Sequence, residues 1–237
     1  MMPVFALTVR QLTGRWRLVI MTVLATLPVL FTALVVGSSD APFVSAFEVA
    51  VLSTMLAGSI APLIVVSISG PAFANEIEDR TLANLTLSPV PRWQIVVGKL
   101  GAAIAVAAPF VVGSAFLTSF IAFNRDATAT TAVTMSTLVG LLMYASVFVW
   151  LGLVTKQAIA VGLVYIVLWE GFFSGYVAGI RLLSIRHYAT ALMNAMDPRR
   201  FVSVDHVPPV VAIAVSAGVV GLFTFLAVRR LRRMDVP

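Results

Sequence analysis

The chain has 237 residues, of which 60% are hydrophobic and 11% charged, against about 45–50% and about 25% in ordinary soluble domains. Because a spanning helix needs roughly 20 apolar residues, this length allows at most about six or seven crossings and no large soluble domain. Cysteine is absent, which excludes disulfides, thiolate metal sites and cysteine nucleophiles. The net charge of +6 comes mainly from basic residues in predicted loops and termini, where membrane orientation explains them without a nucleic-acid partner.

The first 17 residues predict an amphipathic helix at the membrane interface. A basic tail that only enforces orientation is the alternative, and the two interpretations are compatible. The apolar side would carry Phe5, Val9, Leu12 and Trp16, at i, i+4, i+7 and i+11, and the opposite side Arg10, Thr13, Gly14 and Arg17.

Six later stretches are long and apolar enough to span the bilayer, and Glu170 is the one charged residue within them. The first stretch follows three arginines, as a secretory signal would. Its 20 residues exceed the roughly 7–15 of a signal core, and it ends in Gly37-Ser38-Ser39-Asp40 rather than an A-x-A-like site, so we predict a retained span. The predicted spans are 18–37, 49–74, 101–123, 132–154, 158–180 and 207–228.

The distribution of Lys and Arg predicts the orientation. With both termini in the cytoplasm, the inner segments hold 11 basic residues and the outer segments five, and reversing the whole chain inverts this ratio. If 158–180 instead dips in and returns, Arg181–Arg200 becomes cytoplasmic, Arg229–Arg233 becomes external, and the count is again 11 to five. The 23 residues of 158–180 favour a full crossing. We therefore predict six spans in the cytoplasmic (inner) membrane, with a longer outer segment at 181–206.

The inner loop 75–99 is patterned. Glu76 and Arg80 stand at i, i+4, and Leu82 and Leu85 at i, i+3. Pro89 and Pro91 then stop any helix. A short surface helix with an acidic start and an apolar stripe suits docking against a cytoplasmic partner, whereas the alternative is a solvated loop with incidental charges.

This loop also resembles that of exporter-type ABC transporter permeases with a six-helix, ABC-2-like (type V) membrane domain. Their loop carries a Glu, then Gly-Thr, a Leu-Leu pair, a Pro-Val-Ser-Arg turn, an aliphatic run and Gly-Lys. The chain departs from that pattern at Arg80 for Gly, Thr86 for the second Leu and Pro91 for Ser. It matches at Glu76, Thr81, Leu85, Pro89, Arg92, Gly98 and Lys99.

The resemblance implies that loop 75–99 holds a coupling helix that rests on a separate ABC ATPase subunit. It also implies a second permease copy, identical or homologous, with substrate passing between the two. The chain itself has no G-x-x-x-x-G-K-[ST] phosphate loop, so ATP and Mg²⁺ would be bound by the partner subunit. The residues expected to contact the ATPase are Glu76, Glu78, Arg80, Thr81, Leu82, Leu85, Pro89 and Arg92.

Glu170 is the second candidate site, because a carboxylate near the bilayer midplane costs roughly 2.5–3.5 kcal/mol and is a functional candidate by default. Trp169, Phe173 and Tyr165 would line a substrate path with it. A buried carboxyl, hydrogen-bonded between helices, is the equally weighted alternative. Gly171, Gly175 and Gly179 recur every four residues and predict close helix packing.

These observations favour the permease subunit of an ABC exporter, without catalytic or metal-binding residues of its own. The alternative function is a proton-coupled secondary carrier that uses Glu170 as its relay. A single intramembrane carboxylate and the lack of visible inverted repeats count against the carrier.

Overall fold

The computed structural model describes residues 2–37, 47–78, 91–173, 182–201 and 207–234. Every regular element in these ranges is helical, so the all-α integral membrane prediction is confirmed. The described helices are α1 (Met2–Leu12), α2 (Arg15–Gly37), α3 (Glu48–Ile60), α4 (Ala61–Ser69), α5 (Pro71–Glu78), α6 (Arg92–Ala122), α7 (Ala127–Val154), α8 (Ala158–Val164), α9 (Tyr165–Phe173), α10 (Ile185–Met196) and α11 (Pro209–Arg233).

Five described helices are long and apolar enough to cross a membrane: Arg15–Gly37, Ala50–Glu78, Arg92–Ala122, Ala127–Val154 and Pro209–Arg233. The span predicted at 158–180 is described only as far as Phe173, as the shorter apolar helix pair α8 and α9. The rest of that span lies outside the described residues. The count of six spans therefore stays a prediction.

The N-terminal helix is shorter than the predicted segment 1–17. Helix α1 ends at Leu12, and α2 already begins at Arg15, so Trp16 belongs to the first long helix, where it is 80% exposed. Leu12 and Thr8 are buried, and the Phe5 ring lies 3.9 Å from where a Cβ would stand on Gly101 of α6. The amphipathic face of α1 is thus seated along α6.

Helices α3, α4 and α5 follow one another as a single long crossing. Helix α3 is π-helical, with hydrogen bonds that reach back five residues, as from the Ala61 N–H to the Leu56 carbonyl. Helix α9 has the same wide turns. Such segments are rare and often mark functional sites, and α3 and α9 pack against each other.

Helices α6 and α7 form an antiparallel pair joined by a tight turn. Residues Asn124 and Arg125 adopt left-handed backbone angles, with φ of 49° and 66°. Asp126 Oδ1 then caps α7 by accepting from the backbone N–H groups of Thr128 and Ala129.

Because α6 begins at Arg92 rather than at 101, Lys99 lies inside the helix and not in the loop.

Two long-range contacts fix which segments share an end of the bundle. At the end where α6 begins, called here the Arg92 end, Arg92 bonds the carbonyls of Leu231 and Arg232 at the C-terminus of α11. At the opposite, Asp126 end, Arg200 pairs with Asp126 at 3.1 Å. Between Val154 and Arg200 the chain therefore passes from the Arg92 end to the Asp126 end. A full crossing of 158–180 agrees with this arrangement and stays a prediction, because part of that stretch lies outside the described residues.

Helix α10 is an element that the sequence did not predict in the outer segment 181–206. Ser184 caps it, and one side of the helix packs on α7, where Ala189 faces Gly140.

The core of the bundle lies among α4, α6 and α7. Within the most apolar 18 residues of each helix, 61% of those in α7 are buried, against 22% in α2 and 17% in α11. Helices α2 and α11 therefore lie at the periphery of the bundle.

Candidate functional site

The predicted coupling loop is described at its two flanks. Glu76 and Glu78 lie in the last turns of α5, and Arg92 opens α6. The intervening residues, with the predicted contacts Arg80, Thr81, Leu82, Leu85 and Pro89, lie outside the described residues. The described part of the site therefore consists of the end of α5 and the start of α6.

A buried ion pair joins these two flanks. The Nζ of Lys99 lies 2.5 Å from Glu76 Oε1 and also donates to the Ala72 carbonyl at 2.5 Å. The same ammonium stands 4.6 Å from the centroid of the Phe73 ring, within reach of a cation–π interaction. Lys99 is 1% exposed and Glu76 4% exposed. The helix that enters the loop and the helix that leaves it are therefore held together by charge.

The position of Glu76 differs from the one that its predicted role requires. Its carboxylate faces Lys99 inside the bundle and not the surface, so it does not present a negative charge to a docked partner in this structure. Among the described residues at this end, Glu78 is an exposed acid, two residues later and nearer the loop. Two residues apart on a helix point in different directions, which explains why one is buried and the other is not.

Arg92, also predicted to contact the ATPase, reaches the end of α11. Its Nη1 donates to the Leu231 carbonyl at 2.7 Å and to the Arg232 carbonyl at 2.8 Å. The last carbonyls of a helix have no partner within the helix and carry the negative end of its dipole. A guanidinium suits both needs, so Arg92 caps the C-terminus of α11.

The Glu170 carboxyl lies in a different part of the bundle and is 0% exposed. Oε1 accepts from the Tyr165 hydroxyl at 3.2 Å and from the Ile185 backbone N–H at 3.0 Å, and Oε2 accepts from the Ser184 hydroxyl at 2.5 Å. Ser184 and Ile185 form the N-terminus of α10. Glu170 therefore connects α9 to the first turn of α10, where the helix dipole favours a carboxylate.

The surroundings of Glu170 are packed. Tyr165 packs edge-to-face on Phe148 of α7, with ring centroids 6.3 Å apart. Arg186 of α10 lies against α3, because a Cβ placed on Gly58 would come within 2.8 Å of its Nη1. Trp169 is half-buried, and the side chain of Phe173 lies outside the described part of the chain. Glu170 is thus fully covered in this conformation, and its predicted place in a substrate path stays a prediction.

Among the described glycines, the closest contacts are made at Gly162 and Gly152. Gly171 is exposed, and a Cβ there would meet only the Ile166 carbonyl of its own helix, while Gly175 and Gly179 lie outside the described residues. By contrast, a Cβ on Gly152 of α7 would come 2.5 Å from the Gly70 carbonyl, and one on Gly162 of α8 would collide with Val66. Gly152 and Gly162 therefore let α7 and α8 approach the second crossing closely.

Sequence reasoning missed the roles of two residues of these sites and the partner of a third. Lys99 was placed in the loop, although a lone lysine beside a long apolar run is itself a signal that a buried carboxylate is near. Ser184 was missed as a cap, although a serine before an amphipathic stretch is a helix-start signal. The link from Arg92 to α11 has no sequence signal, because its acceptors are backbone carbonyls.

The comparisons with known proteins agree with the loop motif. The model of the ABC-2 family transporter protein matches residues 9–186, about three quarters of the chain. No curated protein matches the chain. The match includes both flanks of the loop, the Glu76–Lys99 pair and Glu170. This multi-pass membrane protein therefore belongs to the ABC-2 transporter family, as the permease component of an ABC transporter.

Proposed function

We propose that the chain is the permease subunit of an ABC exporter, whose loop between α5 and α6 receives force from a separate ATPase subunit. ATP and Mg²⁺ would bind in that subunit, and two permease copies, identical or homologous, would alternate between inward and outward openings. The Arg92 end would face the cytoplasm, with both chain termini on that side of the inner membrane.

The observation that carries this proposal is the ion pair between Glu76 and Lys99. A loop that transmits force needs both of its bases fixed to the spans, since a slack loop would absorb the displacement. The pair joins the end of α5 to the second turn of α6 inside the apolar bundle, where charges are weakly screened. A push on the loop would therefore move two spans together.

Surface exposure of the described flanks distinguishes a contact from the supports. Glu78 is exposed and would face the ATPase, while the apolar pair Leu82 and Leu85 would fill its cleft. Glu76 and Arg92 would act as supports, because the former is buried beside Lys99 and the latter is bonded to α11. Glu78, which is exposed, is therefore a better position than the buried Glu76 for a mutation that tests docking.

The test is to co-purify the chain with an ABC ATPase, which the proposal expects a neighbouring gene to encode. Leu85→Asp should abolish co-purification by placing an unpaired charge in an apolar seat, and Glu78→Lys should weaken it by repulsion. Val154→Asp, an exposed position at the same end but outside the loop, is the matched control and should retain the ATPase. Retention of the ATPase by Leu85→Asp at the control level would contradict the proposal.

Substrate recognition would involve the region of Glu170, Trp169, Phe173 and Tyr165 in another conformation of the permease. The carrier alternative is less well supported, since Glu170 is fully covered and engaged by Tyr165, Ser184 and the Ile185 N–H. A screen for compounds that stimulate ATP hydrolysis by the reconstituted complex would identify substrates. Sensitivity of transport to collapse of the proton gradient, rather than to ATP depletion, would favour the carrier.

A further inference from the structure

Arg92 stands at a position that its own helix does not favour. It is the first residue of α6, where the positive end of the helix dipole repels a cation. Four more arginines, at 229, 230, 232 and 233, crowd the same end of the bundle. Neither its own helix nor the neighbouring arginines therefore stabilise the positive charge of Arg92. The two carbonyl acceptors on α11 do stabilise it.

The acceptors belong to a peripheral span that packs on α7, α10 and α6. Of the most apolar 18 residues of α11, only 17% are buried. The buried residues of the whole helix are Ala212, Ser216, Ala227 and Leu231. Leu231 is 0% exposed, and its carbonyl is one of those that Arg92 bonds. Phe223 of α11 also packs edge-to-face on Trp150 of α7, with ring centroids 5.2 Å apart, so the bonds from Arg92 add a polar link from the start of α6 to a helix that packs on α7.

We propose that Arg92 is the positioning residue that makes α11 follow the coupling loop. The inference rests on the proposed function, and it adds a second route of transmission to the one through Glu76 and Lys99. Displacement of the loop moves the start of α6, and the two bonds from Arg92 carry that movement to the C-terminus of α11. Because the acceptors are backbone carbonyls, the link acts on the helix itself and not on a side chain that could swing away.

Dipolar EPR tests this with nucleotide as the probe. The chain has no cysteine, so introduced cysteines are its only spin-labelling sites. One label pair, at Trp93 and Val154, reports on α6 against α7, and a second pair, at Val154 and Arg229, reports on α11 against α7. All three positions are exposed. Each pair is measured in the reconstituted complex with the ATPase, before and after trapping with Mg-ATP and vanadate.

In the parent complex both separations should change on trapping. In Arg92→Gln the change between 154 and 229 should fall by half or more while the change between 93 and 154 persists, and Arg92→Lys should restore part of it. Arg233→Gln, which removes one positive charge from an exposed position at the same end, is the matched control and should behave as the parent does.

The outcomes separate the two proposals. An undiminished change between 154 and 229 in Arg92→Gln, with the α6 pair still responding, would overturn the role of Arg92 alone. Loss of the ATPase from Arg92→Gln would also overturn it, by making Arg92 a docking residue. If trapping leaves the α6 pair of the parent unchanged, the loop does not move α6, and the proposed function fails together with this inference.

Discussion

Among the described residues, Glu76 and Glu170 are both carboxylates buried in an apolar bundle, yet their partners differ in kind. Glu76 faces an ammonium group, that of Lys99, which is itself buried. Glu170 accepts instead from two hydroxyl groups and a backbone N–H, and it stands at the N-terminus of α10. The described contacts of Glu76 thus centre on one buried cation, whereas those of Glu170 include several neutral donors.

This difference has a consequence for how each site tolerates change. When one member of a buried ion pair is removed, the other is left as an uncompensated charge, and the cost is about 3–5 kcal/mol. When one donor of several is lost, the remaining donors still solvate the carboxyl, and a typical hydrogen bond contributes only about 0.5–1.5 kcal/mol. The two sites should therefore respond very differently to single substitutions.

The largest effect is expected for Lys99→Met, which keeps the volume of the side chain but strands the Glu76 carboxylate. The free energy of unfolding should fall by about 3–5 kcal/mol, measured by equilibrium unfolding in mixed micelles. The double variant Glu76→Gln/Lys99→Met removes both charges and should recover more than half of that loss. Additive effects in this cycle would show that the two residues are not energetically coupled.

The next largest effect is expected where α7 packs closely against the backbone at Gly70, next to the helix that carries Glu76. Gly152→Ala would place a Cβ 2.5 Å from the Gly70 carbonyl, which pushes α7 away from the start of α5, the helix that carries Glu76. Overpacking of this kind costs about 1–3 kcal/mol. Gly218→Ala on α11, where a Cβ would meet nothing within 4 Å, is the control and should leave the midpoint of unfolding unchanged. Equal midpoints for the two variants would contradict the close approach.

A smaller effect is expected for Glu170→Gln, because the amide keeps the shape of the carboxyl and one acceptor oxygen. The Ser184 hydroxyl can reverse and accept from the amide NH₂ group, so the loss of stability should be about 1–2 kcal/mol. The chain should still assemble, and substrate stimulation of ATP hydrolysis should change if the site takes part in recognition. A loss comparable to that of Lys99→Met would contradict the expectation that the three described donors share the support of Glu170.

The smallest effect belongs to Ser184→Ala, which removes one donor to Glu170 and the cap of α10. The hydroxyl also accepts from the His187 N–H at 3.3 Å, and loss of an N-cap costs about 1 kcal/mol. Hydrogen exchange of the backbone amides in the first turn of α10 should accelerate, while amides of α5 and α6 should keep their protection. Faster exchange throughout the bundle would show that Ser184 supports more than this junction.

Much of the fold follows from composition and span length. A continuous apolar run of about 20 residues is stable only where lipid or protein covers it, and within lipid only a helix satisfies its own backbone. The helical membrane fold and the loop motif with Glu76, Arg92 and Lys99 were therefore readable from sequence. The helix ends were less so: α6 begins at Arg92 and α11 runs to Arg233, because charged residues extend a helix beyond the hydrocarbon that defines the span.

The amino-acid sequence by itself determined that this chain is a helical membrane protein, and its loop motif pointed to the transporter family. Only the tertiary structure decided which charges meet. Glu76 and Lys99 are 23 positions apart, and Arg92 is about 140 positions from its acceptors. No local periodicity links residues at such separations, and a backbone carbonyl leaves no trace in the sequence. Their contacts arise because antiparallel spans bring helix ends together and because a buried charge needs the nearest partner that the packing supplies.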